Sequence, residues 1–289
     1  MKISEIRNGN MNNVYLFEIN DNKYIIRESI FDNIFECKVL NILKEININC
    51  PKIITNFKLD NKYIILYKYL EGQCPTKTNN KFYINLAKLL NKLHSIPYSF
   101  TKEDYLLNEE NQEKLHNYYL KTINSKYLFN DKAFIKEIYN NISNLNLDIF
   151  DKCIIHSDIK KENMIQNKRN IYLIDFGNCY IGTRLIDIIR VIMWFFIKND
   201  DYNYKQIELF IKEYFTDNQL TELEMQNINE LIIYCILYNL LKDIALYEDG
   251  VLKAEYIENN SLNWLNALKE KGKLLKIGEL IKNAKRFTK

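Results

Sequence analysis

The run His156-Ser157-Asp158-Ile159-Lys160-Lys161-Glu162-Asn163, followed at short distance by Ile174-Asp175-Phe176-Gly177, carries the densest chemical signal in the chain. Its residue types suit phosphoryl transfer. Asp158 offers a carboxylate to a hydroxyl proton, while Asn163 and Asp175 offer a neutral and an anionic oxygen to magnesium ions that bridge nucleotide phosphates. Asn163 lies five positions after Asp158, and Asp175 lies twelve after Asn163, with Asp-Phe-Gly closing an apolar strand. Taken singly, each residue reads equally well as turn or helix-cap chemistry. Three in this register favour catalysis.

His156 follows the apolar Cys153-Ile154-Ile155 and reads as a hydrogen-bonding brace of the loop rather than as a general base. Lys160 projects from the same loop and either meets the charge of the transferring phosphate or faces solvent. On the nucleotide side, residues 6–13 occupy the place of a phosphate-covering loop, in which only Gly9 permits close backbone approach. Neither G-x-G-x-x-G nor a Walker A run is present. Arg27 ends the expected strand 23–27, where a phosphate-pairing cation belongs, and Glu36 on the following helix can hold it.

The elements that must position these residues change character along the chain. Residues 14–19 and 23–27 alternate as strands around the turn Asn20-Asp21-Asn22. Ile34, Val39, Leu40, Ile42 and Leu43 form a helical stripe, and two further strands, 53–59 and 62–67, flank Asp60-Asn61. Past Leu70-Glu71-Gly72 the pattern turns helical: residues 82–94, 111–123 and 131–146 are helix candidates. Short strands return at 153–155, 164–166 and 171–174. Everything after Arg184 reads as helix, with Thr221-x-x-Glu224 opening one as a capping box. The expected fold is α+β and bilobal, with residues 1–70 a nucleotide-binding lobe of antiparallel sheet and one main helix. Residues 71–289 form a larger, mostly helical lobe.

On these residues the chain resembles the aminoglycoside phosphotransferase and choline kinase superfamily, the small-molecule kinases with a protein-kinase-like fold. The resemblance rests on Gly9 with Asn13 and Tyr15, Ile26-Arg27, Glu36, Leu70-Glu71-Gly72, Leu93-His94, the 156–163 run, Ile174-Asp175-Phe176 and Gly182-Thr183-Arg184-Leu185-Ile186-Asp187. It implies ATP between two lobes, the base bonded to backbone near Lys68, Tyr69 and Leu70, and Gly9 and Asn13 beside the phosphates. It also implies Asp158 as catalytic base, Mg²⁺ on Asn163 and Asp175, and Asp187 as a structural partner of the catalytic loop. Ser157 stands where the family usually has Gly, and Arg27 where Lys is more usual; neither departure removes a metal ligand.

Two rival classes share parts of this pattern. A Ser/Thr protein kinase would have a similar loop, but only eleven residues separate Asp175 from Asp187 and no Ala-Pro-Glu follows. Some spore-coat proteins resemble the same family without being catalytic. The acceptor stays open. Residues 184–258 hold 14 Asp/Glu against 7 Lys/Arg, a net −7 that would attract a cationic hydroxyl compound such as an aminoglycoside, choline or thiamine. Trp194, Asp243, Glu248 and Asp249 are the candidate acceptor contacts. Homoserine-like, neutral sugar and peptide-antibiotic acceptors fit the sequence too, and GTP as well as ATP.

The whole composition fits this frame. With 289 residues and 47% hydrophobic content, the chain can bury two modest cores. A formal charge of +3 without an Arg-rich face argues against nucleic acid as partner. Six cysteines lack metal-ligand spacing and read as apolar residues in a reducing compartment. The start has no apolar signal core, and the longest apolar run, residues 231–238, cannot span a bilayer. The expectation is a soluble, cytoplasmic protein.

Overall fold

The computed structural model describes residues 2–8, 12–168, 170–198 and 201–284. Strands β1 (Lys2–Asn8), β2 (Asn12–Ile19) and β3 (Asn22–Ser29) lead into helix α1 (Ile34–Glu45), then β4 (Ile53–Leu59) and β5 (Lys62–Lys68). The five strands form one antiparallel sheet in the order β1-β2-β3-β5-β4. Asn20 and Asp21 make the β2–β3 turn with φ of 48° and 61°, the positive values whose twist matches the flanking strands. Helix α1 buries Phe35, Glu36, Val39, Leu40 and Leu43. Ile34, expected in that stripe, is exposed instead, because positions 34, 38 and 41 share the outer face.

The chain leaves the sheet through Gly72, whose φ of +146° and closeness to Gln166 (an added Cβ would meet its carbonyl oxygen at 2.6 Å) admit no side chain. Gln73 then exchanges two backbone hydrogen bonds with Gln166, at 3.0 and 2.8 Å. Helix α2 (Asn80–His94), capped by the Asn79 side chain at 3.0 Å, buries Leu86, Leu90 and Leu93 completely. Each such burial contributes about 1.5–3 kcal/mol. Helices α3 (Gln112–Thr122) and α4 (Lys132–Ile142) follow, then strands β6 (Cys153–Ile155), β7 (Met164–Gln166), β8 (Ile171–Leu173) and β9 (Tyr180–Gly182). These strands pair as two antiparallel ladders, β6–β9 and β7–β8.

Helix α5 (Arg184–Phe196) is apolar nearly all round and runs through the core. Helices α6 (Tyr204–Tyr214), α7 (Glu222–Glu248), α8 (Leu262–Lys269) and α9 (Lys271–Asn283) complete the helical part. The Thr221–Glu224 capping box opens α7, with bonds of 2.8 and 3.1 Å, and Arg184 clamps Glu224 from α5 at 2.8 and 2.7 Å. One expectation fails here. Beyond Arg184 the chain is not helix alone: Ile197–Lys198 pairs with Asp201–Tyr202 as a short antiparallel ladder, whose cross-strand partners Ile197 and Tyr202 are both buried. Among the described residues no helix is long and apolar enough to cross a membrane.

Candidate active site

The loop after β6 is held from below by one carboxylate. The backbone N–H groups of His156 and Ser157 donate to Asp187, each at 2.8 Å, and His94 Nε2 donates to the same carboxylate at 3.1 Å. His94 Nδ1 then accepts from the Tyr214 hydroxyl at 2.7 Å. Asp187 is fully buried in the first turn of α5. Burial pushes its carboxyl up, but the His94 bond, the two imidazoles and the His156 N–H outweigh this and leave it below the usual carboxylate range. His156 Nε2 donates to the Ile174 carbonyl at 2.9 Å, so its Nδ1 accepts from the Asp158 N–H at 3.3 Å. With both ring nitrogens committed, His156 braces the loop.

Ser157 has a φ of 62°, the left-handed region that a side chain enters at a cost of about 1–2 kcal/mol. Its hydroxyl offsets part of this by donating to the Asn178 carbonyl at 2.6 Å. Asp158 emerges from this turn with a quarter of its side chain exposed. Its Oδ2 accepts from Asn163 Nδ2 at 2.7 Å and pairs with Lys160 Nζ at 2.9 Å. Burial raises the Asp158 carboxyl, yet the Lys160 charge and hydrogen bond, helped by Lys242 and His156, bring it down to about 2.

Asn163 also donates to the Asp158 backbone carbonyl at 2.9 Å, which turns its amide nitrogen toward Asp158 and leaves its Oδ1 for a cation. Its own carbonyl accepts from the Ile174 N–H at 3.0 Å, so the β7–β8 register sets Asn163 beside Asp175. Asp175 is left-handed as well, with φ and ψ both 63°. Its Oδ1 lies 3.4 Å from Arg27 Nη1, a contact that reaches from the sheet to the helical part. Arg27 is itself paired with Glu36 inside the core, and the Tyr67 hydroxyl donates to Glu36 at 3.1 Å. Arg27, Asp158, Asn163 and Asp175 therefore come together from segments more than a hundred residues apart.

The profile of the phosphotransferase enzyme family (APH) matches residues 2–221. The chain belongs to this family. Among solved structures it is similar in fold to the spectinomycin phosphotransferase APH(9)-Ia in complex with ADP and spectinomycin, at 16% identity over 99% of this chain and 93% of that one, with a TM-score of 0.62. It is likewise similar to a Plasmodium vivax ethanolamine kinase (19% identity, 96% and 83% covered, TM-score 0.71). The choline kinase LicA of Streptococcus pneumoniae is a third neighbour (16%, 93% and 93%, TM-score 0.63). No curated protein matches the chain.

The remaining expected site residues of this phosphotransferase fall in different surroundings. Gly9 lies outside the described residues. Asn13 donates to Glu28 across the β2–β3 ladder at 3.1 Å. Lys68 and Tyr69 leave β5 with their N–H groups bonded to Lys52 and Lys23 carbonyls at 2.9 and 3.3 Å, and Leu70 follows half-buried. Asp243 accepts from Ser261 at 2.8 Å; burial pushes its carboxyl up to about 6 against the pull of Ser261, Lys242 and Lys160, and the Asp158 charge adds to the rise. Trp194 instead packs edge-on against buried Trp264, with ring centroids 5.1 Å apart. Glu248 accepts from Ser125 at 2.6 Å, and Asp249 forms an exposed ion pair with Lys121. The structure brings Asp243 into the field of Asp158 and ties Glu248 and Asp249 to residues just after and within α3.

Sequence reasoning missed Lys242, Tyr256 and Ser261, which surround Asp243. Burial raises the Tyr256 phenol, and the Asp243, Asp158 and Glu162 charges raise it further. It also missed Tyr67 and Tyr214, the hydroxyls that complete the Glu36 and His94 networks. No local motif marks either tyrosine. Their partners lie 31 and 120 positions away.

Proposed function

We propose that this phosphotransferase transfers the γ-phosphoryl group of ATP, with Mg²⁺, to a hydroxyl of a small molecule. In this reading a sheet lobe ending near residue 70 and a helical lobe beyond it hold the nucleotide between them. The observation that carries the reading is that Asn163 bonds the Asp158 carboxylate while its backbone is tied to Ile174, next to Asp175, whose carboxylate Arg27 reaches from the sheet. Among the described residues no group of three His, Cys, Asp or Glu could hold a metal unaided. The Asn163–Asp175 donor set fits a hard cation that takes its other oxygens from nucleotide phosphates. When bound, Mg²⁺ supplies charge neutralisation on the β- and γ-phosphate oxygens.

The chain's own residues divide the remaining work. Asp158, fixed by Asn163 Nδ2, orients the acceptor hydroxyl and receives its proton. In the loose transition state of phosphoryl transfer the proton moves late, once the hydroxyl oxygen has begun to bond phosphorus. Lys160 pairs with Asp158 in the free protein and can swing to the phosphate charge. Arg27 serves the phosphates while Glu36 and Tyr67 hold its guanidinium. Gly9 and Asn13 lie along the phosphates, and the backbone of Lys68, Tyr69 and Leu70 meets the base, with GTP as an alternative donor. Asp243 lines the acceptor side and favours a cationic compound of the aminoglycoside, choline or thiamine kind. Trp194, Glu248 and Asp249 lie outside the contacts that Asp243 makes.

A coupled ADP-release screen over aminoglycosides, choline, thiamine, homoserine and amino sugars tests this. One acceptor should raise Mg²⁺-dependent ADP release well above the rate with water. Asp158→Ala should then lower turnover by about 10²–10⁴-fold with nucleotide affinity nearly intact. Equal turnover by Asp158→Ala would refute the assignment of the base.

A further inference from the structure

Residues 98–110 run between α2 and α3 with one helical turn, Lys102–Tyr105, closed by a Thr101–Asp104 capping box. The segment is fastened at three places. Against α1, Phe35 meets Phe100 edge-on with centroids 4.9 Å apart and Tyr105 at 5.7 Å, and Lys38 pairs with Asp104 at 2.5 Å. Against the loop that follows Asp175, Asn108 Nδ2 donates to the carbonyls of Gly177 and Cys179, at 3.2 and 3.0 Å. Against α5, buried Arg190 donates to both oxygens of buried Glu110, at 2.6 and 2.7 Å.

The Asp175 loop needs outside support. Asp175 holds a left-handed conformation, which Asp enters more readily than most side chains but which is sparsely populated all the same, and such residues persist where the surroundings over-determine them. Three successive carbonyls after it, those of Gly177, Asn178 and Cys179, accept from side chains: Asn108, Ser157 and Asn108 again. Asn108 comes from outside both hairpins of the site. The helix α1 that grips its segment also carries Glu36, the partner of Arg27, and Arg27 contacts Asp175.

We propose that Asn108 is a positioning residue for the Asp175 carboxylate, and that segment 98–110 couples α1 to the loop bearing it. Asp175 is then steered from two sides by one helix: through Glu36 and Arg27 on one, and through Phe35, Lys38 and Asn108 on the other. A shift of α1 moves both supports together. The metal-binding consequence rests on the phosphotransferase reading; the support of the loop does not.

Hydrogen–deuterium exchange of the peptide covering residues 174–180 tests the support in the free protein. Asn108→Ala should speed its exchange about thirtyfold, the effect expected for losing two hydrogen bonds of ordinary net strength. Lys38→Ala, a surface change that touches neither Asn108 nor Asp175, should speed the same peptide by about two- to threefold through the segment. Mn²⁺ titration of the ADP complex by electron paramagnetic resonance gives the second readout. Asn108→Ala should weaken the metal about tenfold and leave metal-free ADP affinity unchanged. Wild-type exchange and wild-type Mn²⁺ affinity in Asn108→Ala would overturn the positioning role while leaving the kinase reading standing. Unchanged exchange in Lys38→Ala alone would overturn the coupling to α1. If wild-type protein took up no Mn²⁺ with ADP, yet Asn108→Ala still exchanged faster, the loop support would stand and the kinase reading would fall.

Discussion

Replacing Arg27 by Met removes a buried ion pair with Glu36 together with the contact to Asp175. The Arg27 and Glu36 side chains are 8% and 2% exposed, so neither charge is well solvated. Removing one partner of such a pair costs about 3–5 kcal/mol, because the other charge stays buried. Tyr67 still donates to Glu36 at 3.1 Å, and a hydrogen bond to a charged group retains about 1.5–3 kcal/mol. The net loss for Arg27→Met should therefore lie near 3 kcal/mol, at the low end of the buried-pair range. Adding Glu36→Leu removes the stranded carboxylate and should recover about 1–2 kcal/mol, with the Tyr67 hydroxyl left unpaired as the remaining deficit. Urea denaturation at pH 7, followed by fluorescence and far-UV circular dichroism together, measures both steps. A loss under about 1 kcal/mol for Arg27→Met, or a double variant no more stable than the single one, would show that the buried pair does not carry this energy.

Other perturbations follow from the same geometry. Ser157→Gly should stay within about 1 kcal/mol of wild type, since relief of the left-handed backbone and loss of the hydroxyl bond nearly cancel. Ser157→Val should lose about 3 kcal/mol, because a branched side chain fits neither the φ of 62° nor the bond; equal thermal midpoints for Val and Gly would refute this. Lys160→Met should lift the Asp158 carboxyl from about 2 toward the ordinary carboxylate range, since burial then acts with less opposition; an unmoved carboxyl resonance in a carbon-13 titration would contradict it. Asp243 has a folded value near 6, above its unfolded one, so the cost of its charge is absent below about pH 4 and complete above about pH 6. Asp243→Asn should thus be more stable than wild type at pH 8, by about 1–2 kcal/mol after allowance for partial exposure, with the gap closing from pH 6 to 4. A constant gap across that range in chemical denaturation would count against it.

Local chemistry was legible where the contacts are local. The 156–163 run and the Asp-Phe-Gly flank the one short β7–β8 hairpin, so their spacing alone sets Asn163 beside Asp175. The sheet and α1 were readable from alternation and from the 3.6-residue stripe, with Ile34 misplaced because a stripe read from apolarity ignores which face a first-turn residue occupies. The departure at Ser157 was visible, but the reason Gly is usual there is a positive φ that sequence does not display. The expected acceptor contacts were the least readable. Trp194 and Asp243 sit on helices rich in apolar residues, so periodicity could not tell that one packs on Trp264 while the other accepts from Ser261. Tyr214, Tyr256 and Asn108 act across long chain separations, and pairings of that kind leave no local signature. The short ladder at Ile197 was hidden by an apolar run that suits strand and helix alike.

The most direct test of the account follows phosphorus itself. Incubation with γ-labelled ATP and Mg²⁺ and the acceptor found by the release screen, with phosphorus NMR of the product, should give a phosphate monoester of that acceptor from wild-type protein. Asp158→Asn, which keeps the shape and loses the charge, should give almost none while still binding Mg²⁺–ATP. Monoester formation at the wild-type rate by Asp158→Asn would contradict the account.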